Sequence, residues 1–279
     1  MFNRISRWIH HYPLIAYFGL VFGVEWLLVI SISSWVSPLL ALLIGSWLPN
    51  LIGLLVTGVA GGSSGLGNLF SKVIHWRIGF KWYAAALFFP IVIALLSIIL
   101  YFFYNHKFLG FAPMNQLLTI LIGAIFTGAL GEELGWRGTA LPRLQARWNP
   151  LISSLILGVL WGLYHLPSFL LSGLPLNNAP ILQFMLCSLA ITCLVTWIFN
   201  HTNGSLIPVF IIHASFNFIS SIILVFSNPA LAWIVVILLA VGSSAVILLD
   251  WKHFSQQPEP LNDEKHIARG KAPILSIRP

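Results

Sequence analysis

The sequence predicts an all-α, polytopic membrane bundle of about eight spanning helices. Three observations carry that prediction: composition, the recurrence of long apolar runs, and the placement of the basic residues. Of 279 residues, 58% are apolar and 8% charged, with a mean hydropathy of +0.91, whereas soluble domains carry roughly 25% charged residues. Eight windows approach the ~20 apolar residues that cross a bilayer: 13–36, 39–60, 83–104, 116–137, 151–171, 180–200, 205–226 and 229–249. They are continuous runs, not the short alternating segments of an outer-membrane barrel.

Arg4 and Arg7 before the first run imitate a secretory signal. The run is too long for a signal core and no small-residue cleavage site follows, so it reads as the first span. Pro49 and Asn50 interrupt the second window and Pro90 the third, and kinks are expected there because proline withholds a backbone N–H. Gly61 to Gly67, then Leu69, Phe70, Val73, Ile74 and Trp76 interleaved with Lys72 and Arg77, read as an interfacial amphipathic helix. The glycine stretch lacks the lysine of a phosphate-binding loop and follows no strand, which argues against a nucleotide site. Leu141 to Trp148, with Arg143 and Arg147, reads as a second amphipathic piece joining spans four and five.

The net charge of +7 does not point to nucleic acid, because the basic residues sit at the ends of apolar runs and form no aromatic-flanked patch. With the N-terminus inside, thirteen of the fourteen Lys and Arg fall on the cytoplasmic side and only Lys107 outside. That asymmetry predicts both termini inside and an even number of spans. The glycosylation-like triplets at Asn200 and Asn203 then lie on the wrong side to be used. Cys187 and Cys193, six apart in one run, fall on different helix faces and predict no disulfide. Residues 1–250 read as one membrane-embedded domain and 251–279 as a polar, disordered cytoplasmic tail.

Only Glu25, Glu132 and Glu133 place a carboxyl in apolar surroundings, where an ionisable group is expensive and marks a functional hypothesis. In Gly131-Glu132-Glu133-Leu134-Gly135-Trp136-Arg137-Gly138, Glu133 and Arg137 are four apart and share a face, while Glu132 points about 100° away. One carboxylate can be structural and the other free to act as a general base. The competing reading is an ion-pair staple at a helix end. Trp161 and His165 form a second i,i+4 pair, and His213 and Asn217 a third; each alone reads as a helix-to-helix hydrogen bond or packing network. Trp161, Phe216 and Phe218 need no role beyond packing, and Glu25 is assigned none.

Convergence gives these groups their force. Of nine histidines, only His165 and His213 lie deep in spans, and both spans can neighbour the one holding Glu132. Counted along the helix from the cytoplasmic ends, Glu132 and His213 fall roughly 8 to 12 Å down and His165 roughly 20 Å, a mismatch in depth. A carboxylate, two imidazoles and an amide in a dry pocket suit activation of a water and stabilisation of an oxyanion in peptide hydrolysis. Glu132, His165 and His213 can equally hold a divalent metal such as zinc with one open position. No HExxH and no Gly-x-Ser-x-Gly occurs.

Glu-Glu-x-x-x-Arg, aromatic-x-x-x-His and His-x-x-x-Asn, in that order across residues 118–220, resemble the CAAX protease and bacteriocin-processing (CPBP) family, which includes the type II CAAX prenyl endopeptidases. The resemblance implies an intramembrane endopeptidase, often labelled metal-dependent, in a bacterial plasma membrane. It casts Glu132 as the water-activating base, Glu133 and Arg137 as its supporting pair, His165 as a holder of the water, and His213 and Asn217 as the oxyanion pair. Where the family usually has Phe, this chain has Trp161. The expected partners are membrane lipids and a peptide or protein substrate, prenylated and CAAX-like or bacteriocin-like, and no nucleic acid. The rival class is a non-catalytic transporter, immunity or scaffold protein that binds a peptide in the same cavity; no internal repeat of the transporter kind is evident.

Overall fold

The computed structural model describes residues 2–32 and 35–257, and every regular element among them is helical. In chain order these are α1 (Phe2–His11), α2 (Pro13–Ile32), α3 (Pro38–Ser46), α4 (Leu48–Ile74), α5 (Phe80–Asn105), α6 (Met114–Gln145), α7 (Pro150–Tyr164), α8 (Leu166–Leu170), α9 (Ile181–His201), α10 (Ile207–Ile222), α11 (Pro229–Leu249) and α12 (Trp251–Ser255). Seven are long and apolar enough to cross a membrane, alone or joined to a neighbour. The eighth expected window contains only the 16-residue helix Ile207–Ile222, roughly 24 Å at 1.5 Å per residue against a ~30 Å hydrocarbon layer.

Side chains sort by solvent as a membrane bundle requires. Along α5, Phe88, Val92, Leu95 and Ile99 face outward, while Ala86, Pro90, Ile93 and Ser97 are buried against the bundle. Lipid tails accept the first stripe, which water would not. Inside, α9 packs against α7 and α11, and α5 packs against α10. The helix runs continuously through Pro90.

The second window splits at Trp47, and Pro49 then sits in the first turn of α4, where a missing N–H leaves nothing unpaired. The sharper departure is at Gly62, whose φ of 60° and ψ of −152° suit glycine alone. There the chain folds back: a Cβ on Gly65 would lie 3.2 Å from the carbonyl of Thr57, eight residues away and roughly 12 Å off in a straight helix. The amphipathic stretch expected after Gly61 is thus the returning half of α4, and its Leu69 is buried. Its end is tied to the loop before α10, where Leu206 N–H donates to the Lys72 carbonyl at 2.9 Å and the Ser205 hydroxyl to that of His75 at 2.6 Å.

Leu141 to Trp148 is not a separate interfacial piece. Helical structure persists from Met114 to Gln145, and Leu141, Leu144 and Gln145 are buried. Arg143 reaches this depth by donating to the Thr139 carbonyl at 2.7 Å and to Thr57 Oγ1 at 3.3 Å. Of the expected tail, Trp251–Ser255 is helical and buries Phe254, while residues 258–279 lie outside the described residues.

Candidate functional site

Glu132 and Glu133 lie where α6 stops being an ordinary α-helix. A single α-helical turn, Leu130–Glu133, separates two π-helical stretches, Ala124–Ala129 and Leu134–Ala140. Widened turns free backbone groups and are common at functional sites. Here Asn50 of α4 supplies the missing partners, for its Nδ2 donates to the Leu130 carbonyl at 2.6 Å and its Oδ1 accepts from Gly135 N–H at 2.9 Å. Leu130 opens the α-helical turn and Gly135 lies in the π-helical stretch that follows, so one side-chain amide braces the junction between them. The sequence marked Asn50 only as a helix interruption.

Glu133 faces a guanidinium and an imidazole. Its Oε1 accepts from Arg137 Nη1 at 2.8 Å and from His213 Nδ1 at 2.5 Å, with Glu133 and Arg137 fully buried. Arg137 Nη2 donates onward to Thr192 Oγ1 at 3.1 Å, and the guanidinium lies 4.7 Å from the centre of the Trp161 ring. One spare donor of the buried pair is satisfied in this way, while Arg137 Nε and Glu133 Oε2 have no hydrogen-bond partner among the described residues. Thr192, in the middle of an apolar run, carried no signal in the sequence.

Glu132 faces a neutral donor and a second imidazole. Its Oε2 accepts from Trp161 Nε1 at 2.7 Å, which gives Trp161 a contact that packing alone did not predict. Its Oε1 stands 4.0 Å from His165 Nε2. His165 caps the end of α7 with Nδ1 at 2.8 Å from the Trp161 carbonyl. Since a carbonyl only accepts, Nδ1 carries the proton and the lone pair of neutral Nε2 points toward Glu132. His165 is 18% exposed and Glu132 5%, so the imidazole is the wetter side.

The expected gap in depth closes for a simple reason. Because α6 continues to Gln145, Glu132 lies thirteen residues from its end and His165 fifteen from the start of α7, both roughly 20 Å along the helix. His213 reaches the same level because α10 begins late, behind a loop whose Thr202, Ser205 and Leu206 are buried. Asn217 lies one turn on from His213. A Cβ on Gly128 would meet Asn217 Nδ2 at 2.4 Å and His213 Nε2 at 3.3 Å, so only glycine lets α6 and α10 approach this closely. All six expected residues thus meet around one stretch of α6, although His213 is bound through Nδ1 to Glu133.

That commitment bears on metal binding. Among the described residues, the one group of three His, Cys or carboxylate side chains whose donor atoms fall within 4.8 Å of one another is His201, Asp250 and His253. Glu132, His165 and His213 do not converge on a shared ion, because His213 is turned toward Glu133. Glu25 is buried, its Oε2 has no hydrogen-bond partner among the described residues, and it takes no part in the contacts above.

Residues 113–219 match the family described as Rce1-like, type II CAAX prenyl endopeptidase. The CAAX prenyl protease 2 of Methanococcus maripaludis is 27% identical over 154 residues, which cover 53% of this chain and 56% of that protein. The chain thus spans about half the length of this curated relative. Every motif residue from Glu132 to Asn217 falls inside the matched segment, and the family resemblance drawn from the three motifs stands.

Proposed function

With its Rce1-like segment as the premise, we propose that this integral membrane protein is an intramembrane endopeptidase of the CAAX type. Its substrate is a peptide that enters from the cytoplasmic face, a prenylated C-terminal tail being the class the relative's name suggests. The observation that carries this reading is the 4.0 Å gap between Glu132 Oε1 and His165 Nε2. Both atoms are acceptors, and two acceptors at that spacing suit one water roughly 2.8 Å from each, donating one proton to each at an angle of roughly 90°. The oxygen lone pairs of that water then point away, toward a substrate carbonyl.

Glu132 takes one proton as the water oxygen attacks the carbonyl carbon, and the carbonyl oxygen becomes an oxyanion. Asn217 Nδ2 donates to it, and His213, held through Nδ1 by the Glu133 carboxylate, places its ring beside Asn217 at the same point of α6. Collapse breaks the carbon–nitrogen bond, and Glu132 returns its proton to the departing amine. Arg137 balances the charge of Glu133 beneath this pair.

The topology has the same kind of support. His10, His11, Lys72, Arg143 and Arg147 line one cavity, which gathers residues from three segments that the charge rule assigns inside. We therefore place both termini in the cytoplasm and the entrance at that end, in a bacterial plasma membrane.

The test is hydrolysis in proteoliposomes of a peptide ending in Cys-aliphatic-aliphatic-X, prenylated or not, with the products identified by mass. Cleavage of the prenylated form after its cysteine, reduced on the order of 10²- to 10⁴-fold by Glu132→Gln, is expected. Turnover unaffected by Glu132→Gln overturns the assignment, and a biological effect that survives this change identifies a scaffold.

A further inference from the structure

At the ends of α9, α11 and α12, outside the three motifs, three side chains meet that the hydrolytic chemistry does not use. Asp250 follows the last turn of α11, His253 lies in α12, and His201 is the last residue of α9. His201 Nε2 lies 3.0 Å from Asp250 Oδ2, and His253 Nδ1 contacts Asp250 Oδ1. The two imidazole rings are 4.7 Å apart. Partial burial pushes the Asp250 carboxyl up, but the hydrogen bonds from His253 and Trp197 outweigh it and hold the group below its ordinary range.

From this geometry we propose that His201, Asp250 and His253 form a zinc site that fastens the end of α12 to α9. Two imidazoles and a carboxylate are the donor set of an open tetrahedral zinc, in which ligand atoms about 2.0 to 2.1 Å from the ion lie roughly 3.3 Å from one another. All three donors here already lie within 4.8 Å of one another.

The surroundings are built for the ligands. Trp197 serves two of them, its carbonyl accepting from His201 Nδ1 at 3.0 Å and its indole N–H donating to Asp250 Oδ2 at 2.9 Å. The carbonyl fixes the tautomer, so the lone pair of His201 Nε2 faces the carboxylate. Two lone pairs at 3.0 Å repel unless a proton or a cation lies between them, and outer contacts of this kind orient histidine ligands at metal sites. Trp82 closes one side, its ring 4.9 Å from both Trp197 and His201. His253 is 62% exposed, which leaves the ion a route from the aqueous side.

The site is separate from the Glu132 centre and stands whether or not the protein is a peptidase. The full-length protein, freed of any histidine tag and stripped with chelator in detergent, is titrated with Zn²⁺ against a chromophoric chelator. A parallel titration with Co²⁺ reads the visible absorption of four-coordinate cobalt. One equivalent of Zn²⁺ is expected, weakened at least about tenfold by His253→Gln and by His201→Gln, unchanged in Glu132→Gln, and accompanied by a higher unfolding temperature. His253→Gln changes an exposed side chain and leaves folding intact. Failure of the wild-type protein to bind zinc, or zinc binding that survives His253→Gln or is lost in Glu132→Gln, overturns the proposal.

Discussion

Glu132 and Glu133 are neighbours on one helix, both buried, and their surroundings differ. Glu133 is met by a guanidinium and an imidazole on the same oxygen. Glu132 receives one neutral indole N–H on Oε2 and keeps Oε1 turned toward His165 across a gap the width of a water. A carboxylate met by a guanidinium and an imidazole on one oxygen is a structural anion, because its charge is balanced where it sits. A carboxylate held by one neutral donor is oriented and keeps its other oxygen clear of a cation. The 100° between consecutive helical residues separates the two roles.

The largest effect should come from breaking the charge-balanced side. Arg137→Ala leaves Glu133 buried beside a single imidazole, and a loss of about 3–5 kcal/mol of stability is expected for a broken buried pair. Denaturant or thermal unfolding in detergent measures it, and a variant as stable as the wild type would erase the distinction between the two carboxylates. Asn50→Ala should come next, because it orphans the Leu130 carbonyl and the Gly135 N–H at once, each about 1–3 kcal/mol when left unpaired. Hydrogen exchange at Gly135 reports whether the junction loosens, and unchanged protection would show that it holds without the Asn50 amide. Trp161→Phe installs the residue usual in the resembling family and removes the indole donor together with part of the ring. Hydrolysis roughly tenfold slower, with stability nearly unchanged, is expected from one lost hydrogen bond, and an equal fall in both would make Trp161 a packing residue.

Much of this was legible beforehand because lipid enforces simple rules. Composition and run length predicted the helical membrane fold, and ionisable side chains in apolar runs singled out Glu132, Glu133, His165 and His213. What stayed hidden depends on pairing. Hydropathy ended the fourth span at Arg137, since it cannot see Arg143 satisfied by Thr139 and Thr57, and that error produced the false mismatch in depth. The π turns leave no periodic trace in so short a stretch, so Asn50 read as a breaker when it is the brace. The fold-back at Gly62 depends on one residue among several glycines, and Trp161 gave no hint that its N–H would reach a carboxylate 29 residues earlier.

The division of labour between the two glutamates is tested most directly by paired measurements on Glu132→Gln and Glu133→Gln, each assayed for unfolding and for peptide hydrolysis. The expected result is that Glu132→Gln unfolds within about 1 kcal/mol of the wild type and no longer turns over, while Glu133→Gln is destabilised by several times that amount. Equal destabilisation by the two changes, or wild-type turnover in Glu132→Gln, would contradict it.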